Sequence, residues 1–102
     1  MRKLPETRVT HAVLELMRHF RILSGNPSYP QIAEATGIQK ARVGNIFRGS
    51  LKRLKLDELE RLCVGIGITE MQLLAALMEC LDGGDPQLVA TRSVARSMEE
   101  AA

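Results

Sequence analysis

Nowhere in its 102 residues does the chain carry an apolar run approaching the roughly 20 residues needed to span a bilayer. Its first eight residues, MRKLPETR, have none of the apolar stretch of a secretory signal. A cytoplasmic protein with no membrane partner is the expectation. Cysteine is scarce: only Cys63 and Cys80, far apart, with no CxxC and no neighbouring histidine to suggest a metal site. Both fall at apolar positions of helical patterns and read as buried free thiols, which fit a reducing compartment. His11 and His19 are eight residues apart on one helical pattern. No carboxylate or cysteine is expected beside them, so neither is assigned a metal or catalytic role.

Chemistry-bearing constellations are missing as well. The chain offers no nucleophile–base pair, no paired carboxylates and no phosphate-cradling glycine loop. The GxG at residues 65–67 follows a helical pattern instead of a strand and lacks the remaining glycine of a dinucleotide fingerprint. Catalysis is not expected, and neither is a cofactor. The last absence is of acid. Between Glu34 and Asp57 there is none, while Lys40, Arg42, Arg48, Lys52, Arg53 and Lys55 supply six positive charges. With a net charge of +2, the rest of the chain therefore carries −4. A basic patch concentrated in an otherwise acidic protein is an electrostatic footprint suited to phosphate.

What is there is an ordinary globular composition, 45% apolar and 25% charged, in a length that suits one small domain with one core. Periodicity points to helices throughout, and no strand pattern competes. The organising stretch is residues 29–49, YPQIAEATGIQKARVGNIFRG. Residues 30–36 and 40–48 form two short helical patterns hinged at Gly37, the layout of a helix-turn-helix. Ala33 is small where the two helices meet, and Gly37 can take the positive φ that a tight turn after a helix needs. Ile32, Ile38, Val43, Ile46 and Phe47 can share one core. Lys40, Arg42, Asn45 and Arg48 fall on the outward face of the second helix. Gly44 is read as room for close backbone approach, at a helix-propensity cost of about 1 kcal/mol.

This segment resembles the helix-turn-helix of the Cro and lambda-repressor family, with GIQKARVGNIFRG similar to its turn and recognition helix; a weaker likeness runs from about residue 9 to about residue 81. The resemblance implies an all-α fold, a compact bundle of about five helices whose third, about residues 39–49 here, lies in the major groove of double-stranded DNA. By position in the motif, Lys40, Ala41, Arg42 and Asn45 match the family's base-reading places. Tyr29 and Gln31 sit at the start of the second helix, whose free amides suit a phosphate. With Arg48, Lys52, Arg53 and Lys55 they make the phosphate-contacting set. Simple packing of Tyr29 against helix 1 is the other reading of that residue. The phage-repressor pattern has uncharged residues where this chain has Lys40 and Arg42, and a small polar one where it has Arg48, so no target sequence carries over. Such regulators need no cofactor.

Taken in order, residues 1–8 carry Arg2, Lys3 and Arg8 with Pro5 among them, and read as a DNA-reaching arm or a frayed terminus. Helix 1 runs from Thr10 to near Ser24, with Val13, Leu16, Met17, Phe20 and Leu23 as its apolar stripe and Thr7 or Thr10 as N-cap. Arg18, His19 and Arg21 lie on its outer face. Leu56, Leu59, Leu62, Cys63 and Ile66 mark helix 4, with Asp57 and Glu58 at its positive end. Thr69 and Gln72 form a capping box for helix 5. There Met71, Leu74, Leu77, Met78 and Leu81 read as a dimer or partner surface, because a helix so widely apolar either completes the core or meets another copy of itself. Residues 1–82 are read as the DNA-binding domain and 83–102 as a C-terminal helix or a mobile tail, with Leu88, Val94 or Ala95, and Met98 as a loose stripe. Two functions compete. One is a sequence-specific regulator, a repressor acting as a homodimer. The other is an antitoxin-like interaction module, which holds a protein partner through helix 5 and the tail and regulates itself by binding DNA.

Overall fold

The computed structural model describes residues 8–49 and 54–101, and among these every regular element is helical. The helices are α1 (Arg8–Leu23), α2 (Tyr29–Thr36), α3 (Lys40–Phe47), α4 (Leu56–Gly65), α5 (Glu70–Leu81) and α6 (Pro86–Ala101). They form an all-α bundle. None of them is both long and apolar enough to cross a membrane. The expected arm residues Arg2, Lys3 and Pro5, the N-cap candidate Thr7 and the phosphate candidates Lys52 and Arg53 lie outside the described residues.

Local chemistry sets the element boundaries. Ser28 caps α2: its hydroxyl accepts from the Gln31 N–H at 3.3 Å, and the Gln31 side-chain oxygen accepts from the Ser28 N–H at 2.8 Å. Gly37 ends the helix in the left-handed region, φ 76°, and its N–H returns to the Ala33 carbonyl at 2.9 Å. Thr69 caps α5 by accepting from the Gln72 N–H at 3.0 Å. At the start of α6 the Asp85 carboxylate accepts from the Leu88 N–H at 3.2 Å, and Pro86 occupies the first turn, where a missing N–H costs nothing. Arg8 and Val9 are already helical, so Thr10 lies inside α1 and is not its cap.

The core is built around Phe20, Leu16 and Met17 of α1, Ile32 of α2, Val43 and Ile46 of α3, Leu62 and Cys63 of α4, Ile66 just beyond it, and Val89 and Ala90 of α6, all essentially inaccessible. Helix α6 therefore belongs to the core, packing chiefly on α1 and also on α5. The face it buries matches the expected one only in part. Val94 of the expected stripe packs against the core, but Leu88 and Met98 are exposed and Val89 and Ala90 take the inward places. Helix α5 turns Leu73 and Ala76 into the core. Leu23 and Leu56 stand at the ends of their helices, and both are exposed.

Candidate nucleic-acid interface

Helices α2 and α3 are joined by residues 37–39, and the buried Thr36 fixes that turn. Its hydroxyl donates to the Ile32 carbonyl at 2.7 Å and accepts from the Ile38 N–H at 3.2 Å. One side chain thereby satisfies the last turn of α2 and the first residue past the glycine. Gly65 of α4 approaches closely from behind, since a Cβ there would lie 2.7 Å from the Thr36 methyl carbon. Sequence reading missed Thr36 and noted Gly65 as part of the GxG at residues 65–67. A threonine directly before the turn glycine was the available signal.

Val43, Gly44, Ile46 and Phe47 are the buried face of α3. Opposite them Lys40, Ala41, Asn45 and Arg48 are exposed. The inner face is anchored from α1: Arg18 Nε donates to the Phe47 carbonyl at 2.9 Å while its Nη1 pairs with Glu15 at 2.9 Å. This positive group on the C-terminal carbonyl suits the helix dipole. Arg18 is thus turned toward the fold and not outward. The same holds for Arg21, whose Nε donates to the Pro27 carbonyl at 2.8 Å and whose guanidinium sits 4.6 Å from the Tyr29 ring centre. Tyr29 also stacks on Phe47, with ring centres 5.8 Å apart, so its ring is a packing element between α1, α2 and α3.

Gly44 is a correction. It is buried, and the space beside it is filled by this chain's own side chains: a Cβ would lie 2.5 Å from Arg48 Nη2 and 3.4 Å from Tyr29 Cδ2. No outside ligand needs that room. Arg48 folds back so that its Nε donates to the Gly44 carbonyl at 3.1 Å, yet the residue remains exposed at the end of α3. The start of α2 also differs from expectation. The amides of Ser28, Gln31 and Ile32 are already bonded and Pro30 has none, so few free N–H groups remain there for a phosphate. With the oxygen of Gln31 committed to the cap, its amide nitrogen is the donor left at this exposed position.

Arg42 departs most from the expected outward array. It sits at the margin between the buried and exposed faces of α3 and reaches Glu58 on α4, with Nε 3.2 Å from one carboxylate oxygen and Nη2 3.2 Å from the other. The side chains are 26% and 17% exposed. Glu58 is itself fixed, because the same oxygen that meets Nη2 accepts from the Lys55 N–H at 3.1 Å at the start of α4. The Arg42 guanidinium first, and then the Lys55 amide, hold the Glu58 carboxyl below its ordinary value. A shallow polar groove of about 380 Å³ runs here, lined by Gln39, Arg42, Lys55, Asp57, Glu58 and Arg61. Lys55 is exposed at its edge. Arg61, exposed on α4, was not singled out from the sequence, although it lies one turn after Glu58.

The expected partner surface on α5 divides. Met71, Leu74 and Met78 are 74%, 52% and 71% exposed and lie along one stripe. Leu77 packs against the core and Leu81 is half-buried. Beside the stripe, Leu56, Leu59, Cys63, Leu73 and Leu74 line an apolar groove of about 290 Å³ between α4 and α5. Burial pushes the Cys63 thiol up to about 11, with the nearby Glu70 and Glu60 adding to the effect. Cys80 is also a free thiol, half-buried on α5. His19 corrects another expectation, having Glu15 four residues before it with its carboxylate 4.0 Å away. Among the described residues no three metal-ligating side chains come together.

No family model matches the chain, and neither the curated proteins nor the solved structures give a significant match.

Proposed function

We propose that the protein is a sequence-specific double-stranded DNA-binding regulator of the Cro and lambda-repressor kind, acting in the cytoplasm without catalysis or a cofactor. The observation that carries this reading is α3 itself. One face is locked into the core through Val43, Ile46 and Phe47, and the other presents Lys40, Ala41 and Asn45 to solvent. A rigid helix with such a face fits a major groove: Lys40 offers donors to guanine, Asn45 pairs with adenine, and the Ala41 methyl meets thymine. Arg48 and Lys55, exposed at the flanks, supply sequence-independent attraction to phosphates. Gln31 adds a further phosphate contact through its side-chain amide nitrogen.

The exposed stripe Met71, Leu74 and Met78 supports a homodimer, which would let two α3 helices reach half-sites about 34 Å apart. The same stripe is what favours the second reading, an antitoxin-like module that buries it against a different protein. Enrichment from random-sequence duplexes at near-physiological salt, with the mass of the protein in solution, tests the regulator, and co-purification of a small second protein would favour the antitoxin-like module. An inverted repeat bound by a dimer is the expected result. Sequence-blind binding by a monomer would refute the regulator.

A further inference from the structure

Arg42 contributes to no simple outward array, and its geometry says more than an ion pair on a surface would. Glu58 engages the Nε–Nη2 edge of the guanidinium with both oxygens. An arginine has a second bidentate edge, formed by one N–H of each Nη, and this pairing leaves that edge uncommitted. It has the spacing of a fork, which matches two acceptors side by side, as guanine O6 and N7 are in the major groove. Arg42 also lies one residue from Ala41 and three from Asn45, both exposed, and a quarter of its own side chain is accessible.

The carboxylate is not a casual partner. The Lys55 N–H and the first turn of α4 hold it, so the α4 backbone fixes where Arg42 can be. If Arg42 swung away to meet a base alone, it would leave a half-buried anion facing an incoming chain of phosphates. Keeping the pair while using the free edge avoids that repulsion.

We propose that Arg42 and Glu58 form one reading unit, in which Glu58 is a positioning residue that holds one edge of the guanidinium so that the other selects guanine in duplex DNA. This rests on the DNA-binding reading above and adds to it a base and a second residue. Glu58 touches no base. It determines specificity through Arg42.

The test compares wild type, R42A and E58Q by enrichment from random duplexes, followed by titration of the best site and of the same site with that guanine replaced. Glutamine keeps one oxygen for the Lys55 N–H, so the start of α4 survives, but the charge and the second oxygen are lost; thermal unfolding checks that the fold is intact. Wild type is expected to prefer guanine at one position by roughly 5- to 150-fold. R42A loses that preference, and E58Q lowers it at least about threefold at the same position, leaving preferences at other positions unchanged. Two results overturn the pairing while leaving the regulator standing: a wild-type motif that E58Q reads equally well, or an E58Q protein that binds all sequences more tightly, which makes Glu58 an electrostatic brake. If wild type enriches no motif at all, the DNA-binding reading fails first and this inference falls with it.

Discussion

Replacing Gly65 with alanine tests the packing that sets α2 against α4. The new Cβ would lie 2.7 Å from the Thr36 methyl carbon and 3.7 Å from the Ile32 Cγ2. The second distance is ordinary contact. The first is about 1 Å too short for two carbons at their preferred separation. Thr36 cannot turn away cheaply, because its hydroxyl is bonded on both sides, to the Ile32 carbonyl and from the Ile38 N–H. Either the helices part or those bonds are given up. Overpacking costs about 1–3 kcal/mol, and an approach as short as this one falls in the upper part of that range, about 2–3 kcal/mol, while exchanging a helical glycine for alanine returns about 1 kcal/mol. The net expectation is a loss of about 1–2 kcal/mol, which lowers the melting temperature by roughly 5–15 °C in a chain of this size.

Urea unfolding followed by far-ultraviolet circular dichroism measures the loss, and a second variant isolates its cause. T36S keeps the hydroxyl and removes only the methyl that the new Cβ meets. In the wild-type background it should cost about 1 kcal/mol of buried methyl. In the G65A background that cost should vanish or change sign, giving a coupling of about 1 kcal/mol. A G65A protein as stable as wild type, or two strictly additive substitutions, would refute the account of why a small residue is needed at this crossing.

Other expectations follow from the same contacts. V89A should destabilise the protein by about 2 kcal/mol, because Val89 is in the core, whereas L88A, one residue away and exposed, should fall within about 0.5 kcal/mol of wild type. Folding holds the Glu58 carboxyl below its ordinary value. Its pair with Arg42 therefore contributes fully above the unfolded glutamate value, about 4.3, and that contribution is lost as the pH falls through the lower folded value. E58Q should flatten the acid side of the stability–pH curve and leave the alkaline side unchanged. In native protein, a thiol reagent should modify Cys80 well before Cys63, and mass spectrometry should show Cys63 reacting only as the protein unfolds. K55A should weaken binding to all duplexes alike and reduce the salt slope by about one, while N45A should relax preference at particular base pairs.

Much of the helix-turn-helix was legible because its determinants are close in sequence. Ile32, Gly37, Ile38, Val43 and Ile46 sit within fifteen residues, and their spacing alone selects which face turns inward. Helix α6 was less legible. Leu88 and Val89 are adjacent and both apolar, so periodicity could not choose between them without knowing where α1 lies. On α5 the reading named a partner surface, of which Met71, Leu74 and Met78 are exposed, and left the core-facing Leu73 and Ala76 unnamed. Arg42 shows a different limit. Its partner is sixteen residues away on another helix, and a basic side chain on an outward-looking face gives no sign that a carboxylate will meet it.

The place of Val89 and Ala90 in the core, on a helix that packs chiefly on α1, also has a consequence for synthesis. The segment that carries α2 and α3 leaves the ribosome early, and α3 and α5 cover part of α1, but the rest of its packing waits until residues near 90 have emerged. A nascent chain of residues 1–82 therefore holds a formed turn on an unfinished core. The core closes only when α6 arrives to complete the packing on α1 and α5.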